Sequence, residues 1–274
     1  MGKIAFLFPG QGSQEVGMAR DIFKSDRFFR KLLQLGSDFA HEDLERLCLR
    51  GPEKKLRFAR YLQPALSAVC LGLHRHLIER GVAPDYVLGH SLGEITSLGA
   101  SGTVSCEDAV IISAKRGELM DAAALKCNGA MMAVLFVPVE TVEKLIEEIN
   151  VDGKMVLAND NAPNQVVLSG EIDILEAFAA RIAQDKLGRC RRLLVAGPWH
   201  SNCMTEARVA FEEWAKQYIF RDAHTPVILN GTGREEADGA EIKHRITWQL
   251  TRPVYWRECM ERCKQLDVDT LIEI

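Results

Sequence analysis

Tyr86-Val87-Leu88-Gly89-His90-Ser91-Leu92-Gly93-Glu94 is the stretch on which the fold turns. Tyr86 to Leu88 has the character of a short buried strand, and a helical pattern opens at Leu92. Between them, Gly89-His90-Ser91-Leu92-Gly93 is a G-x-S-x-G sequence in the strand-turn-helix setting that a nucleophile elbow requires. Flanking glycines permit a turn tight enough to lift a serine hydroxyl above a sheet. Ser91 would then stand at a helix N-terminus, where free N–H groups favour an oxyanion and the Leu92 N–H is the natural donor. A strand-to-helix turn without chemistry satisfies the same five residues, so the pentapeptide alone leaves both readings open.

On either side of the elbow, short β-type runs alternate with helical patterns. Ile4 to Phe8 reads as a strand, and Ala65 to Arg80 and Cys106 to Ala124 as helices. Strands separated by helices imply a parallel sheet covered on both faces, with chemistry at the carboxyl ends of its strands. Between Asn128 and Val195 the rhythm changes. Strands are expected at Ala130 to Val137, Met155 to Ala158, Gln165 to Ser169 and Arg191 to Val195, with helices at Glu140 to Asn150 and Ile172 to Lys186. That order, βαββαβ, is ferredoxin-like. We therefore expect an α/β fold with a parallel-sheet, hydrolase-like core (residues 1–127 and 196–274) and an inserted ferredoxin-like subdomain (128–195). The core resumes with a helix at Glu206 to Tyr218 and strands at Val227 to Leu229 and Thr270 to Ile274.

Composition bounds the function. A chain of 274 residues, 47% apolar and 26% charged, buries roughly three-quarters of its unfolded surface in an ordinary core, which excludes disorder and membrane spanning. Its net charge of -4 offers no field for nucleic acid or an anionic membrane, so any anion must be met by local groups. The eight cysteines are scattered and form no C-x-x-C pair, as expected of reduced thiols in a cytoplasmic protein without a zinc site. The apolar run Ile4 to Phe8 is shorter than the roughly 7–15 residues of a secretory leader.

A serine nucleophile needs a base, and His200 is the best placed of the histidines. It follows the expected strand at Arg191 to Val195 through Ala196-Gly197-Pro198-Trp199, on a loop where it could face Ser91. His90 is expected beneath the elbow, whereas His41, His74, His76, His224 and His244 read as structural or surface residues. Pro9-Gly10-Gln11-Gly12-Ser13-Gln14 opens on the same sheet edge. It lacks the third glycine of a dinucleotide fingerprint and the lysine of a phosphate loop. It is either a simple turn or a close backbone approach in which the Gln11 N–H becomes a second oxyanion donor. Arg116, on the Cys106 to Ala124 helix, either solvates a face or offers a planar fork to a carboxylate.

Together these residues resemble the malonyl-CoA:acyl carrier protein transacylase family of fatty acid and polyketide synthesis. The resemblance rests on Gly10-Gln11-Gly12-Ser13-Gln14, Gly89-His90-Ser91-Leu92-Gly93-Glu94, Lys115-Arg116-Gly117-Glu118-Leu119-Met120, Asn159-Asp160-Asn161 with Gln165-Val166-Val167-Leu168-Ser169-Gly170, Gly197-Pro198-Trp199-His200-Ser201, and Gln249-Leu250 before Pro253-Val254. It implies that Ser91 is acylated, His200 is its base, Gln11 and Leu92 form the oxyanion hole, and Arg116 holds the malonyl carboxylate. A backbone carbonyl near Gln249 would orient His200 in place of a carboxylate. It implies malonyl-CoA and acyl carrier protein as substrates, no cofactor and no metal, and we expect a monomer. Trp199, bulkier than the residue many relatives carry, is expected to tighten the acyl pocket against substituted malonyl groups. Relatives continue past Leu271-Ile272-Glu273-Ile274 into a Gly-Pro-Gly turn and a final helix.

Carrier proteins are acidic, and Lys186, Arg189, Arg191 and Arg192 form a candidate docking patch or else a solvated basic edge. Two other readings compete. The same dyad could pass the acyl group to water, although a hydrolase of varied acyl groups has no use for a fixed carboxylate partner. A carrier-protein-binding scaffold would leave the nucleophile, base and carboxylate ligand without a purpose.

Overall fold

The computed structural model describes residues 2–21, 26–150 and 153–274. Its first sheet contains β1 (Lys3–Phe8), β2 (Tyr86–Gly89), β7 (Val227–Leu229), β8 (Arg234–Glu236) and β9 (Val268–Glu273) in the order β8-β7-β2-β1-β9. All neighbours are parallel except the β7–β8 hairpin. Alternation along the strands divides the core. Phe6, Phe8 and Val87 join one apolar cluster, whereas Ala5, Leu88 and Ile228 pack with Cys259 and Cys263 of α11 (Trp256–Gln265). The larger cluster lies among α1 (Arg27–Ala40), α4 (Ala59–Glu79), α5 (Leu92–Ala100) and α6 (Cys106–Ala124).

The second sheet has the expected βαββαβ sequence of elements. It consists of β3 (Gly129–Leu135), α7 (Val139–Ile149), β4 (Met155–Ala162), β5 (Gln165–Glu171), α8 (Ile172–Gln184) and β6 (Arg189–Arg192), ordered β4-β5-β3-β6 and antiparallel throughout. Val142 and Leu145 of α7 and Leu175, Phe178 and Ile182 of α8 cover one face. Met131, Ala133 and Val167 on the other face join the main core.

Three local expectations need correction. β6 covers Arg189–Arg192 rather than Arg191 to Val195. Its pairing with β3 runs from Leu135↔Arg189 to Met132↔Arg192, and the last contact of the ladder is the Leu193 N–H donating to Met131 O at 2.9 Å, after which the chain turns toward Gly197 and Pro198. Helix α4 begins at Ala59 rather than Ala65, because Asp121 of α6 accepts from the Ala59 and Arg60 N–H groups at 3.1 Å each. A cap supplied by another helix lets this one run through Pro64. Finally, Cys127 and Cys203 form a disulfide, contrary to the expectation of eight reduced thiols. Their separation of 76 residues carries no signal of the pairing, which arises where the end of α6 meets the turn after His200. The other six cysteines are free.

Candidate active site

β1 and β2 end side by side, with Phe8 opposite Gly89, so the Gln11 loop and the elbow leave the sheet together. Ser91 lies at φ 52°, ψ −98°, directly before α5. The turn needs both glycines: a Cβ on Gly89 would lie 2.0 Å from the Gly93 backbone, and one on Gly93 would lie 1.9 Å from Phe8 O. Gly10 presses on the same turn, since a Cβ there would lie 2.6 Å from His90 O. Asn230, at the end of β7 and fully buried, clamps the elbow from the other side. Its Oδ1 accepts from the Ser91 N–H and its Nδ2 donates to Gly89 O, both at 2.8 Å.

His200 Nε2 lies 2.7 Å from Ser91 Oγ. Its Nδ1 faces the backbone carbonyls of Gln249 and Arg252 at 3.0 Å each. Carbonyls only accept, so the proton belongs on Nδ1 and Nε2 is left to take the serine proton. Burial, reinforced by the Arg116 cation, pushes the His200 pKa down to about 3. The imidazole is therefore a neutral base at physiological pH, held without a carboxylate.

Arg116 is 1% exposed on α6 and reaches the same point. Its NH1 donates to Gln63 Oε1 at 3.0 Å, and its NH2 to Gln249 Oε1 at 2.7 Å and Ser91 Oγ at 3.1 Å. Its Nε is buried with no acceptor among the described residues. Burial pulls its pKa down to about 10, partly offset by Glu94, which leaves it charged at neutral pH. A cation bonded to neutral oxygens beside a nucleophile can pair with an anionic group brought to that nucleophile.

The remaining expected residues take varied places. Leu92 is the first residue of α5, where helix geometry provides its N–H with no acceptor. Gln11 lies on the loop that abuts the elbow, and its side-chain amide donates to Arg57 O at 3.3 Å. His90 is half-buried, bonded through Nε2 to Asn161 of β4 at 2.9 Å and edge-on to Trp256. Trp199 is buried, with its ring folded over Gly197. Arg189, Arg191 and Arg192 are exposed and have no acidic partner among the described residues. They do not form one face: Arg189 and Arg191 lie opposite Leu135 and Ala133, whereas Arg192 lies opposite Met132 on the reverse side. No group of His, Cys, Asp and Glu among the described residues is placed to hold a metal ion.

Three residues of the site escaped the sequence reading: Gln63, Asn230 and Glu94. Glu94 is 2% exposed. It accepts from the Asn230 N–H at 2.6 Å and from Gln249 Nε2, and burial raises its pKa to about 7. It also lines a cavity of about 430 Å³ with Gln249, His244, Trp248, Arg252 and Tyr255. Only Glu94 had a sequence signal, its place directly after the G-x-S-x-G pentapeptide.

The family model described as "Acyl transferase domain" matches residues 5–274. The chain belongs to the acyl transferase family. Among curated relatives, this acyl transferase is 34% identical to the malonyl CoA-acyl carrier protein transacylase of Bacillus subtilis, over 100% of the chain and 87% of that protein. Among solved structures it superposes on the malonyl-CoA:acyl carrier protein transacylase of Xanthomonas oryzae pv. oryzae with a TM-score of 0.93 and 32% identity, covering 100% of this chain and 87% of the other. A malonyl-transacylase in complex with its type II polyketide synthase acyl-carrier protein gives a TM-score of 0.93 at 30% identity, covering 99% and 88%.

Proposed function

We propose that this acyl transferase moves a malonyl group from malonyl-CoA to the phosphopantetheine thiol of an acyl carrier protein, through an ester on Ser91, in fatty acid or polyketide synthesis. The observation that carries the reading is the buried Arg116 fork, 3.1 Å from the Ser91 hydroxyl. Ser91 Oγ attacks the thioester carbonyl while His200 Nε2 takes its proton. The Leu92 and Gln11 N–H groups receive the negative oxygen of the tetrahedral intermediate. As that intermediate collapses, the C–S bond breaks and His200 returns the proton to the CoA sulfur. The carrier thiol then gives its proton to His200, attacks the ester carbonyl, and Ser91 leaves with the proton. Thioester for ester for thioester is nearly balanced, so the protein supplies speed and excludes water.

Throughout, the malonyl carboxylate lies on Arg116. An acetyl group leaves that cation unpaired in a desolvated site, which costs about 2–5 kcal/mol, or roughly 30- to several thousand-fold in selection. The chemistry calls for no cofactor or metal. Ser91, His200, Arg116 and Gln249 complete the site within one chain, so a monomer suffices for the chemistry, and six of the eight cysteines are free, in keeping with a cytoplasmic setting apart from the Cys127–Cys203 disulfide. Among the described residues no helix is long and apolar enough to cross a membrane. Intact-mass measurement tests the reading. Malonyl-CoA should add one malonyl group, Ser91→Ala should abolish the adduct, and holo carrier protein should remove it and gain the mass. Free malonate without transfer would establish a hydrolase instead.

A further inference from the structure

Glu94 takes no part in the proton path, yet both of its oxygens are committed inside the site. One accepts from the Asn230 N–H and the other from Gln249 Nε2. The same Nε2 donates to Ser91 O at 2.9 Å, and Gln249 Oε1 accepts from Arg116 NH2 at 2.7 Å. A primary amide has one donor end and one acceptor end, and its neighbours decide which way each faces. We propose that Glu94 is a positioning residue for acyl-group selection: accepting at both oxygens, it holds the Gln249 amide with its oxygen toward Arg116 and so aims the guanidinium at the acyl carboxylate. The inference rests on Arg116 being the carboxylate receptor proposed above.

Glu94→Gln isolates the effect because it is nearly isosteric. The Asn230 N–H is a backbone group and claims the one oxygen of a glutamine side chain. The new NH2 then faces Gln249 Nε2, donor against donor, and the Gln249 amide turns over. Its NH2 now points at the Arg116 cation and its oxygen at Ser91 O, so the guanidinium is displaced. His200 is untouched, because its Nδ1 partners are carbonyls of the main chain. The elbow keeps its Asn230 clamp.

The test compares first-order rates of Ser91 acylation by malonyl-CoA and by acetyl-CoA, read by intact mass, in wild type, Glu94→Gln, Arg116→Ala and the double variant. Measurement at about pH 8 keeps Glu94 ionised. Glu94→Gln should lower the malonyl-over-acetyl ratio by about ten- to a hundredfold, the size of a lost hydrogen bond to a charged group, and keep acetyl acylation within about threefold. In the Arg116→Ala background it should change the ratio no further. Equal loss of both acylation rates, or full additivity with Arg116→Ala, would overturn the proposal. Arg116→Ala with an unaltered ratio would remove the receptor itself, and Glu94's role with it. Should Glu94→Gln fail to fold, Glu94→Asp keeps the charge but is too short to span both partners. It should lower the ratio in the same sense, and a wild-type ratio there would refute the relay.

Discussion

Ser91 holds a positive φ that costs an L residue on the order of 1–3 kcal/mol, and the buried Asn230 amide holds the turn by bonding the Ser91 N–H and Gly89 O. The gain is a hydroxyl presented to His200. Because burial and the Arg116 cation both disfavour the imidazolium, His200 takes up a proton only at low pH. Activity that needs the neutral base therefore persists on the acid side and fails only toward a pKa of about 3. With acetyl-CoA, which carries no carboxylate for Arg116, single-turnover acylation should hold its rate from about pH 8 to about pH 5. An inflection near the ordinary histidine value would contradict this, and Arg116→Ala should move the acid limb upward. Ser91 and His200 were legible because a compact motif and a loop position announce them. Arg116 and Gln249 became legible only through resemblance. Asn230 and Gln63 were not, since their contacts depend on strand order and helix packing, and nothing in their local sequence encodes either.

The elbow is less a loop than a joint between β1, β2 and α5. Gly93→Ala would drive a Cβ to 1.9 Å from Phe8 O, backbone against backbone, and neither side can retreat without breaking the Phe8↔Gly89 register. The substitution should cost about 3 kcal/mol or more, a fall in Tm of roughly 6–12 °C by calorimetry. Gly231→Ala is the control, since an added Cβ there meets nothing within 4 Å. Equal Tm values for the two variants would refute the packing argument. Elements with self-contained patterns were read closely: α6 spans Cys106–Ala124 and β7 Val227–Leu229, as expected. Those governed by a distant partner were not, as the cap on α4 and the register of β6 show.

Across the whole molecule, the two sheets meet beside the active site. His90 bonds Asn161, Asn159 pairs with Val254, and the buried Asp160 carboxylate takes both Nε and NH2 of Arg257. The motif Asn159-Asp160-Asn161 seats the antiparallel sheet on the elbow. A protein of net charge -4 must attract an acidic carrier locally, and Arg189 and Arg191 are free to do so on one face of β6. Reversing both charges should raise KM for the carrier about three- to tenfold and leave that for malonyl-CoA unchanged, whereas Arg192 alone should matter less. Steady-state kinetics with each substrate varied in turn decides this; equal effects on both would exclude a docking role.

The main-chain hold on His200 has a genetic consequence. Gln249 and Arg252 orient the imidazole through carbonyl oxygens, which every amino acid possesses. No codon change can delete them, so a saturation screen would register loss of the nucleophile and the base, whereas any loss at Gln249 would report its side-chain amide and not the carbonyl that aims the base. That third partner is inherited as a path of the chain, and replacing one peptide linkage by chemical synthesis is the way to reach it.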